Sequence, residues 1–108
     1  MKTTVVRYKL KEGRAEENRA FIGEVFAELD ANRPEGLRYV SFQLEDALTF
    51  VHIAVVETED GSNPLPESAA FKKFVADLRE RCDEPPAAQI ADIVGSYRLF
   101  WEKPDDSA

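Results

Sequence analysis

Hydrophobic and polar residues alternate along the first segment of the chain, residues 3–11, and place Val6, Tyr8 and Leu10 on one face. This period of two predicts a β-strand that buries one side. Over residues 15–32 the apolar residues recur instead at spacings near three and four, while acidic residues occupy the other faces. That spacing predicts an amphipathic helix.

The rest of the chain continues this succession of strands and helices. Its predicted elements are, in order, an antiparallel hairpin of two strands (37–44 and 48–57), a loop (58–66), a second helix with an apolar stripe from Phe71 to Cys82 that Pro85 and Pro86 end, and a last strand (89–101). This order predicts a ferredoxin-like α+β sandwich, with both helices on one face of a four-stranded antiparallel sheet. We expect a single domain over residues 1–102 and a polar C-terminal tail over 103–108.

The third predicted strand is apolar on both of its faces. One face carries Leu48, Phe50, His52, Ala54 and Val56, and the other carries Val51, Ile53 and Val55. A sheet with helices on one side alone needs a second cover if its other side is apolar as well. The expected cover is a second copy of the chain, sheet face against sheet face, in a two-fold homodimer. The alternative is that the tail and loops half-bury this face.

Charge makes two classes of partner unexpected. The chain has 21 acidic and 14 basic residues, a net charge of -7, and its pI is about 4.7. This is the wrong sign for a phosphate backbone or an anionic lipid surface, so we expect neither nucleic acid nor membrane as a partner.

The cysteine count and the lack of long apolar segments exclude several classes of protein. One cysteine cannot form an internal disulfide, and one cysteine with one histidine does not make a structural zinc site. The sequence shows neither an N-terminal apolar segment nor a span of ~20 apolar residues. The expected location is therefore the cytoplasm. The length of 108 residues fits one compact domain.

The chain has one histidine, His52, on a predicted strand face that also carries Phe50, Ala54 and Val56. Tyr8 is its expected neighbour, and the two would form a polar pair in an apolar pocket that orients or deprotonates a phenolic or enolic ligand. The alternative is a neutral core histidine bonded to a backbone carbonyl or a tyrosine hydroxyl. In either case, burial should hold the pKa of His52 below its ordinary value of about 6.5.

Phe26 and Phe71, one on each predicted helix, are the other candidates for lining this pocket. The sequence contains no glycine-rich phosphate loop, no nucleophile elbow and no HExxH motif. It therefore predicts no cofactor and no metal, and it identifies no catalytic residue.

Three segments carry a resemblance to a known family: VVRYKLKEGR at 5–14, FVHIAVVE at 50–57 and SAAFKKF at 68–74. Together they resemble the antibiotic-biosynthesis monooxygenase-like group of dimeric α+β barrels, over nearly the whole chain. Members of that group bind a hydrophobic or aromatic ligand between sheet and helices, and some oxidise it without metal or flavin, or degrade haem. The resemblance implies the same fold, a homodimer and a ligand pocket on the helical side of the sheet.

The residues of the haem-degrading members do not carry over. Those members have an Asn in the first strand, a Trp at the end of the third and a His on the following helix. Here the strand positions hold Val6 and Val56, and His52 lies within a strand. The resemblance thus implies a protein that binds a small apolar or aromatic molecule without degrading haem. Two alternatives stay open: a cofactor-independent monooxygenase-like enzyme that uses His52 and Tyr8 on an aromatic substrate, and a purely structural dimer whose pocket is filled by side chains.

Overall fold

A computed structural model describes residues 1–99 of the chain. The elements, in chain order, are β1 (Lys2–Leu10), α1 (Ala15–Asn32), β2 (Leu37–Gln43), β3 (Thr49–Val56), a short 3-10 turn (Leu65–Glu67), α2 (Ala69–Ala76), α3 (Leu78–Arg81) and β4 (Cys82–Ala91). The sheet order is β2-β3-β1-β4, and all three strand pairs are antiparallel. The structure confirms the ferredoxin-like α+β fold.

The hairpin between β2 and β3 closes around Asp46. Its carboxylate accepts hydrogen bonds from the backbone N–H groups of Leu48 and Thr49 and from the Thr49 hydroxyl. These bonds, first of all the one from the Thr49 side chain, hold the pKa of Asp46 at about 2. The short polar link therefore sets the register in which β2 lies beside β3.

The start of α2 is fastened by side chains of two different segments. The Ser68 hydroxyl accepts a hydrogen bond of 3.0 Å from the backbone N–H of Phe71, which is the usual role of a serine at a helix N-terminus. The Glu28 carboxylate, from α1, accepts from the N–H groups of Ala69 and Ala70. These bonds lower the pKa of Glu28 and hold the two helices side by side over the sheet.

The second predicted helix and the last predicted strand have the wrong bounds. The helix breaks at Asp77, and α3 ends at Arg81, so Pro85 and Pro86 do not terminate it; they lie inside β4. A strand tolerates proline at a sheet edge, because the missing N–H would face away from the neighbour, and β4 is an edge strand whose register shifts beside these two residues.

The rest of the expected last strand does not form. Only residues 89–91 of the predicted 89–101 are extended in the sheet, and 92–99 belong to no strand. The end of that prediction, residues 100 and 101, and the predicted tail at 103–108 lie outside the described residues.

The helices pack on one face of the sheet, and the core lies between them. The core consists of Tyr8, Leu10, Val25, Phe50, Leu65, Phe74, Leu78 and Cys82. The opposite face, called here the outer face, carries Val5, Val40, Phe42, Val51, Ile53 and Val55. At one end of the outer face Val55 is buried, whereas on β2 Val40 and Phe42 are 40% and 47% exposed.

Candidate functional site

His52 lies in the middle of β3 on the helical face of the sheet, with 4% of its surface exposed. Its direct partner across the β1 ladder is Val6, and Tyr8 is the next residue of β1 on the same face. The Tyr8 hydroxyl reaches diagonally to within 2.8 Å of His52 Nε2, and the two rings stack at 5.4 Å. The expected pair of Tyr8 and His52 is therefore in contact.

The other ring nitrogen of His52 meets two hydroxyl groups of β2. His52 Nδ1 lies 2.8 Å from the Tyr39 hydroxyl and 2.8 Å from Ser41 Oγ. Tyr39 and Ser41 were not among the site residues predicted from the sequence. The signal was present, since both residues share a face of a strand that pairs with β3 in a hairpin.

A second part of the site reaches Tyr8 from the helices. Asn18 of α1 donates from Nδ2 to the Tyr8 hydroxyl at 2.9 Å. The Asn18 carbonyl in turn accepts from Arg81 Nε at 3.2 Å and Arg81 Nη2 at 3.1 Å. Both side chains are fully buried, at 0% exposure. Five side chains thus form one continuous chain of hydrogen bonds, Arg81-Asn18-Tyr8-His52-Tyr39, called here the relay.

Arg81 is the unusual member of the relay, because it is a buried charge. Its Nη2 also donates to the Phe74 carbonyl at 2.9 Å, and its guanidinium lies 4.6 Å from the ring centre of Phe21. Within residues 1–99 no carboxylate forms an ion pair with it, and Nη1 has no hydrogen-bond partner. Aromatic faces and amide oxygens therefore stabilise this cation in place of an anion.

An open cleft of about 550 Å³ lies between α2 and the sheet. Tyr8, Tyr39 and His52 form part of its wall, and most of the remaining lining is apolar, namely Val6, Ala54, Leu65, Phe71, Phe74, Val75, Ala76, Leu78, Pro86 and Ala88. Such a size and lining are typical of small-molecule sites.

Three of the four expected pocket residues, Tyr8, His52 and Phe71, thus line one cleft. The fourth, Phe26, stacks on Tyr39 at 5.2 Å and lines a separate depression beside Leu29.

The groups of the relay that line the cleft are neutral at physiological pH. Burial lowers the pKa of His52 to about 4, in the direction expected from the sequence. Burial also raises the pKa of Tyr39 to about 12 and that of Tyr8 still further. The cleft therefore presents an uncharged imidazole and two phenolic hydroxyls, which serve as hydrogen-bonding groups rather than as strong bases.

No group of three or more His, Cys, Asp or Glu side chains in residues 1–99 could hold a metal ion. Over the same residues, no helix has the length and apolar character required to cross a membrane.

Comparison with known proteins places the fold among solved structures. The chain resembles a proposed antibiotic biosynthesis monooxygenase from Nitrosomonas europaea, at 18% identity and a TM-score of 0.69, over 83% of this chain and 86% of that one. It also resembles Rv0793 from Mycobacterium tuberculosis, at 14% identity and a TM-score of 0.70, over 88% and 96%.

A third similar structure is SnoaB, a cofactor-independent oxygenase from Streptomyces nogalater, with 18% identity, a TM-score of 0.66 and coverage of 90% and 96%. No family model matches the chain, and no curated protein matches it either. At these identities the likeness shows a shared fold, that of the antibiotic-biosynthesis monooxygenase-like proteins.

Proposed function

We propose that this protein binds a small aromatic or apolar molecule in the cleft between α2 and the sheet, as a homodimer joined through the outer face. The observation that carries the proposal is the cleft itself. It is open and lined mainly by apolar side chains, and it has hydroxyl and imidazole groups of Tyr8, Tyr39 and His52 at one wall. A purely structural dimer has no use for such a cleft, because apolar side chains would fill it.

Haem is not the ligand that this site favours. Val6 lines the cleft and Val56 lies at the end of β3, so neither can ligate iron or hydrogen-bond an oxygen bound to it. Both ring nitrogens of His52 already form hydrogen bonds with hydroxyl groups, so neither is available to coordinate a haem iron.

A cofactor-independent oxygenase is the second candidate, supported by the fold shared with SnoaB. In such a reaction the ligand itself supplies the electrons: a CH2 group and dioxygen give a carbonyl group and water. The site offers His52 and the two tyrosines as neutral hydrogen-bonding groups that position the ligand. Oxygen consumption with an aromatic ligand, lost in His52→Gln, would support this candidate.

Filling the cleft should abolish ligand binding. Ala88 lies on the helical face of β4 and lines the cleft, so Ala88→Trp puts an indole ring into the space that a ligand would occupy. With 1-indanone as the probe, followed through NMR shifts of the cleft residues, we expect an affinity loss of about tenfold or more. Ala31→Trp is the matched control, because Ala31 is an exposed alanine of α1 that does not line the cleft.

Two outcomes would contradict this part of the proposal. Saturable shifts that persist unchanged in Ala88→Trp would mean that the probe binds elsewhere, and an unaltered protein that shows no saturable shifts has no such site. Native mass spectrometry of protein purified from its own host should in addition show a retained small molecule.

The outer face supports self-association. Val40 and Phe42 are 40% and 47% exposed, and they lie across the ladder from Ile53 and Val51. These four residues make a continuous apolar patch on two neighbouring strands, of the kind that proteins bury against a partner. A second copy offers the same patch in the opposite direction, so two-fold symmetry would match the patches to each other.

The change Ile53→Asp should dissociate the dimer. It places an uncompensated carboxylate in the middle of the apolar patch, where an interface would have to bury it. Light scattering should give the dimer mass for the unaltered protein at micromolar concentration and the monomer mass for the variant. Glu57→Asp, at an exposed carboxylate just beyond β3, controls for handling. A stable monomer of the unaltered protein would refute the proposed dimer.

A further inference from the structure

Arg81 is the first member of the relay and does not line the cleft, yet it decides how the Asn18 amide is turned. A guanidinium donates hydrogen bonds and cannot accept them. The Asn18 carbonyl oxygen therefore faces it, at 3.1 and 3.2 Å, because a reversed amide would set donor against donor. The NH2 group of Asn18 is left facing Tyr8, whose hydroxyl oxygen accepts from it at 2.9 Å.

The orientation of Asn18 determines which ring nitrogen of His52 carries the proton. The Tyr8 oxygen accepts from Asn18, so the Tyr8 proton needs an acceptor of its own, and His52 Nε2 lies 2.8 Å away. With the proton on Nε2 instead, the buried Tyr8 hydroxyl would face two donors and, within residues 1–99, its own proton would have no acceptor. A buried donor without an acceptor is costly. His52 is therefore the neutral tautomer that is protonated on Nδ1.

The hydroxyl groups on the other side of His52 do not make this choice. Nδ1 lies 2.8 Å from the Tyr39 hydroxyl and from Ser41 Oγ, and a hydroxyl group rotates to donate or to accept as its neighbour requires. These two groups suit either tautomer. The guanidinium of Arg81 suits one alone, because its donors cannot become acceptors. The preference therefore reaches His52 from Arg81, through the two side chains between them.

We propose that Arg81 is a positioning residue of the site, which fixes His52 in the tautomer protonated on Nδ1 by way of the intervening relay. The one lone pair of the imidazole ring, on Nε2, then accepts the Tyr8 proton. Nδ1–H donates to the hydroxyl groups of β2.

A fixed tautomer selects one of the two roles that the sequence left open for His52. A base that takes a proton from a molecule in the cleft needs a lone pair within reach of that proton, whereas the lone pair of this imidazole is already bonded to the Tyr8 hydroxyl. His52 therefore orients the hydroxyl groups of β2 and does not deprotonate a ligand. This consequence rests on the proposed ligand-binding function, while the tautomer is a property of the ligand-free protein.

The tautomer can be measured directly in the ligand-free protein. The chain has one histidine, so a nitrogen-15 spectrum of histidine-labelled protein shows the two ring nitrogens of His52 and no others. At about pH 7 we expect a protonated Nδ1 and an unprotonated Nε2, in at least about tenfold excess over the other tautomer. An equal mixture of the two tautomers, or an excess of the other one, would overturn the proposal.

Arg81→Met should remove the preference for one tautomer. Without the guanidinium, the Asn18 amide can reverse and accept the Tyr8 proton, and the Tyr8 oxygen then accepts from a protonated Nε2. We expect the Nε2-protonated tautomer to rise from under about a tenth to roughly half of the folded molecules. Arg81→Lys should keep the original tautomer, because an ammonium group also only donates.

Arg79→Met is the matched control, at an exposed position of the same short helix, and should leave the tautomer unchanged. If Arg81 served only the stability of the core, Arg81→Met would unfold more easily but keep the original tautomer. That result would contradict the proposal.

Asn18→Asp tests the same hydrogen bonds in a variant that keeps a buried partner for Arg81. A carboxylate only accepts, so it takes the hydrogen bonds of Arg81 and the Tyr8 proton together. The Tyr8 oxygen then accepts from Nε2, and we expect the His52 tautomer to invert. Asn32→Asp adds the same charge at an exposed position of the same helix and should not invert it. An uninverted tautomer in folded Asn18→Asp would refute the role of Arg81.

The role of Arg81 and the proposed ligand-binding function can fail separately. The nitrogen-15 spectrum needs no ligand, so a wrong tautomer overturns the role of Arg81 even if 1-indanone binds in the cleft. A failure of 1-indanone to bind overturns the ligand-binding function and leaves the measured tautomer unchanged.

Discussion

Replacing Arg81 with methionine is expected to lower the free energy of unfolding by about 3 kcal/mol. Methionine keeps the length and apolar contact of the side chain, so the change isolates the charged head. It leaves the Asn18 carbonyl and the Phe74 carbonyl without their donors in a part of the core that is closed to water. It also removes the cation that lies over the Phe21 ring at 4.6 Å.

Urea unfolding of Arg81→Met measures this loss, and Arg79→Met is the matched control. Arg79 belongs to the same short helix and is exposed, so we expect its replacement to change stability by less than about 0.5 kcal/mol. A double variant separates charge from packing. Asn18→Leu with Arg81→Met removes donor and acceptor together, and it should be more stable than Asn18→Leu alone, which strands a buried guanidinium.

An unchanged or raised stability of Arg81→Met would contradict the structural account of the relay. It would mean that the cost of burying the guanidinium exceeds everything its hydrogen bonds return. The hydrogen bonds of Arg81 would then contribute nothing to the stability of the fold.

Much of the fold could be predicted from local pattern. The alternation around Tyr8 and the helical spacing that follows it predicted β1 and α1 to within a residue at each end, and the hairpin of β2 and β3 was predicted equally closely. In these segments the spacing of apolar residues alone distinguishes a strand from a helix. Apolar residues recur about every two positions in a half-buried strand and every three to four in an amphipathic helix. The contact of Tyr8 with His52 followed from the same periods once the order of strands was known.

The bounds near β4 could not be predicted in the same way. Pro85 and Pro86 end a helix in almost any local context, and only the position of β4 at the sheet edge makes them acceptable in a strand. An edge position is a property of the whole sheet. The local pattern around these prolines does not contain it.

The part of the relay that joins Arg81 to Asn18 could not be predicted for a related reason. Asn18 sits among charged residues of α1, and Arg81 lies in a run of charged residues at the end of α3, so both are typical of exposed positions. Yet the two are 63 residues apart in sequence and meet in the core with 0% exposure. Only long-range packing reveals such a pair.

The pH dependence of stability should carry the signature of His52. Burial lowers its folded-state pKa to about 4, whereas in the unfolded chain it is about 6.5. Between about pH 6.5 and pH 4 the imidazole is therefore protonated in the unfolded chain but not in the folded protein. The free energy of unfolding keeps its full value above about pH 6.5 and falls as the pH drops toward 4. The whole loss amounts to about 3 kcal/mol, of which about 2 kcal/mol should appear by about pH 5.

The pH range from about 7 to 5 isolates the effect of His52 on stability. Carboxylates with lowered pKa values, such as Asp46, Glu28 and Asp60, lose their own contribution only as the pH falls through and below about 4. We therefore expect His52→Gln, which keeps a hydrogen-bonding side chain but does not titrate, to lower stability at about pH 7 by roughly 1–3 kcal/mol. Between about pH 7 and pH 5 its stability should stay nearly flat, while that of the unaltered protein falls. Parallel curves for the two proteins, or a pKa of His52 at or above its ordinary value by NMR titration, would show that the imidazole is solvated and that the relay does not enclose it.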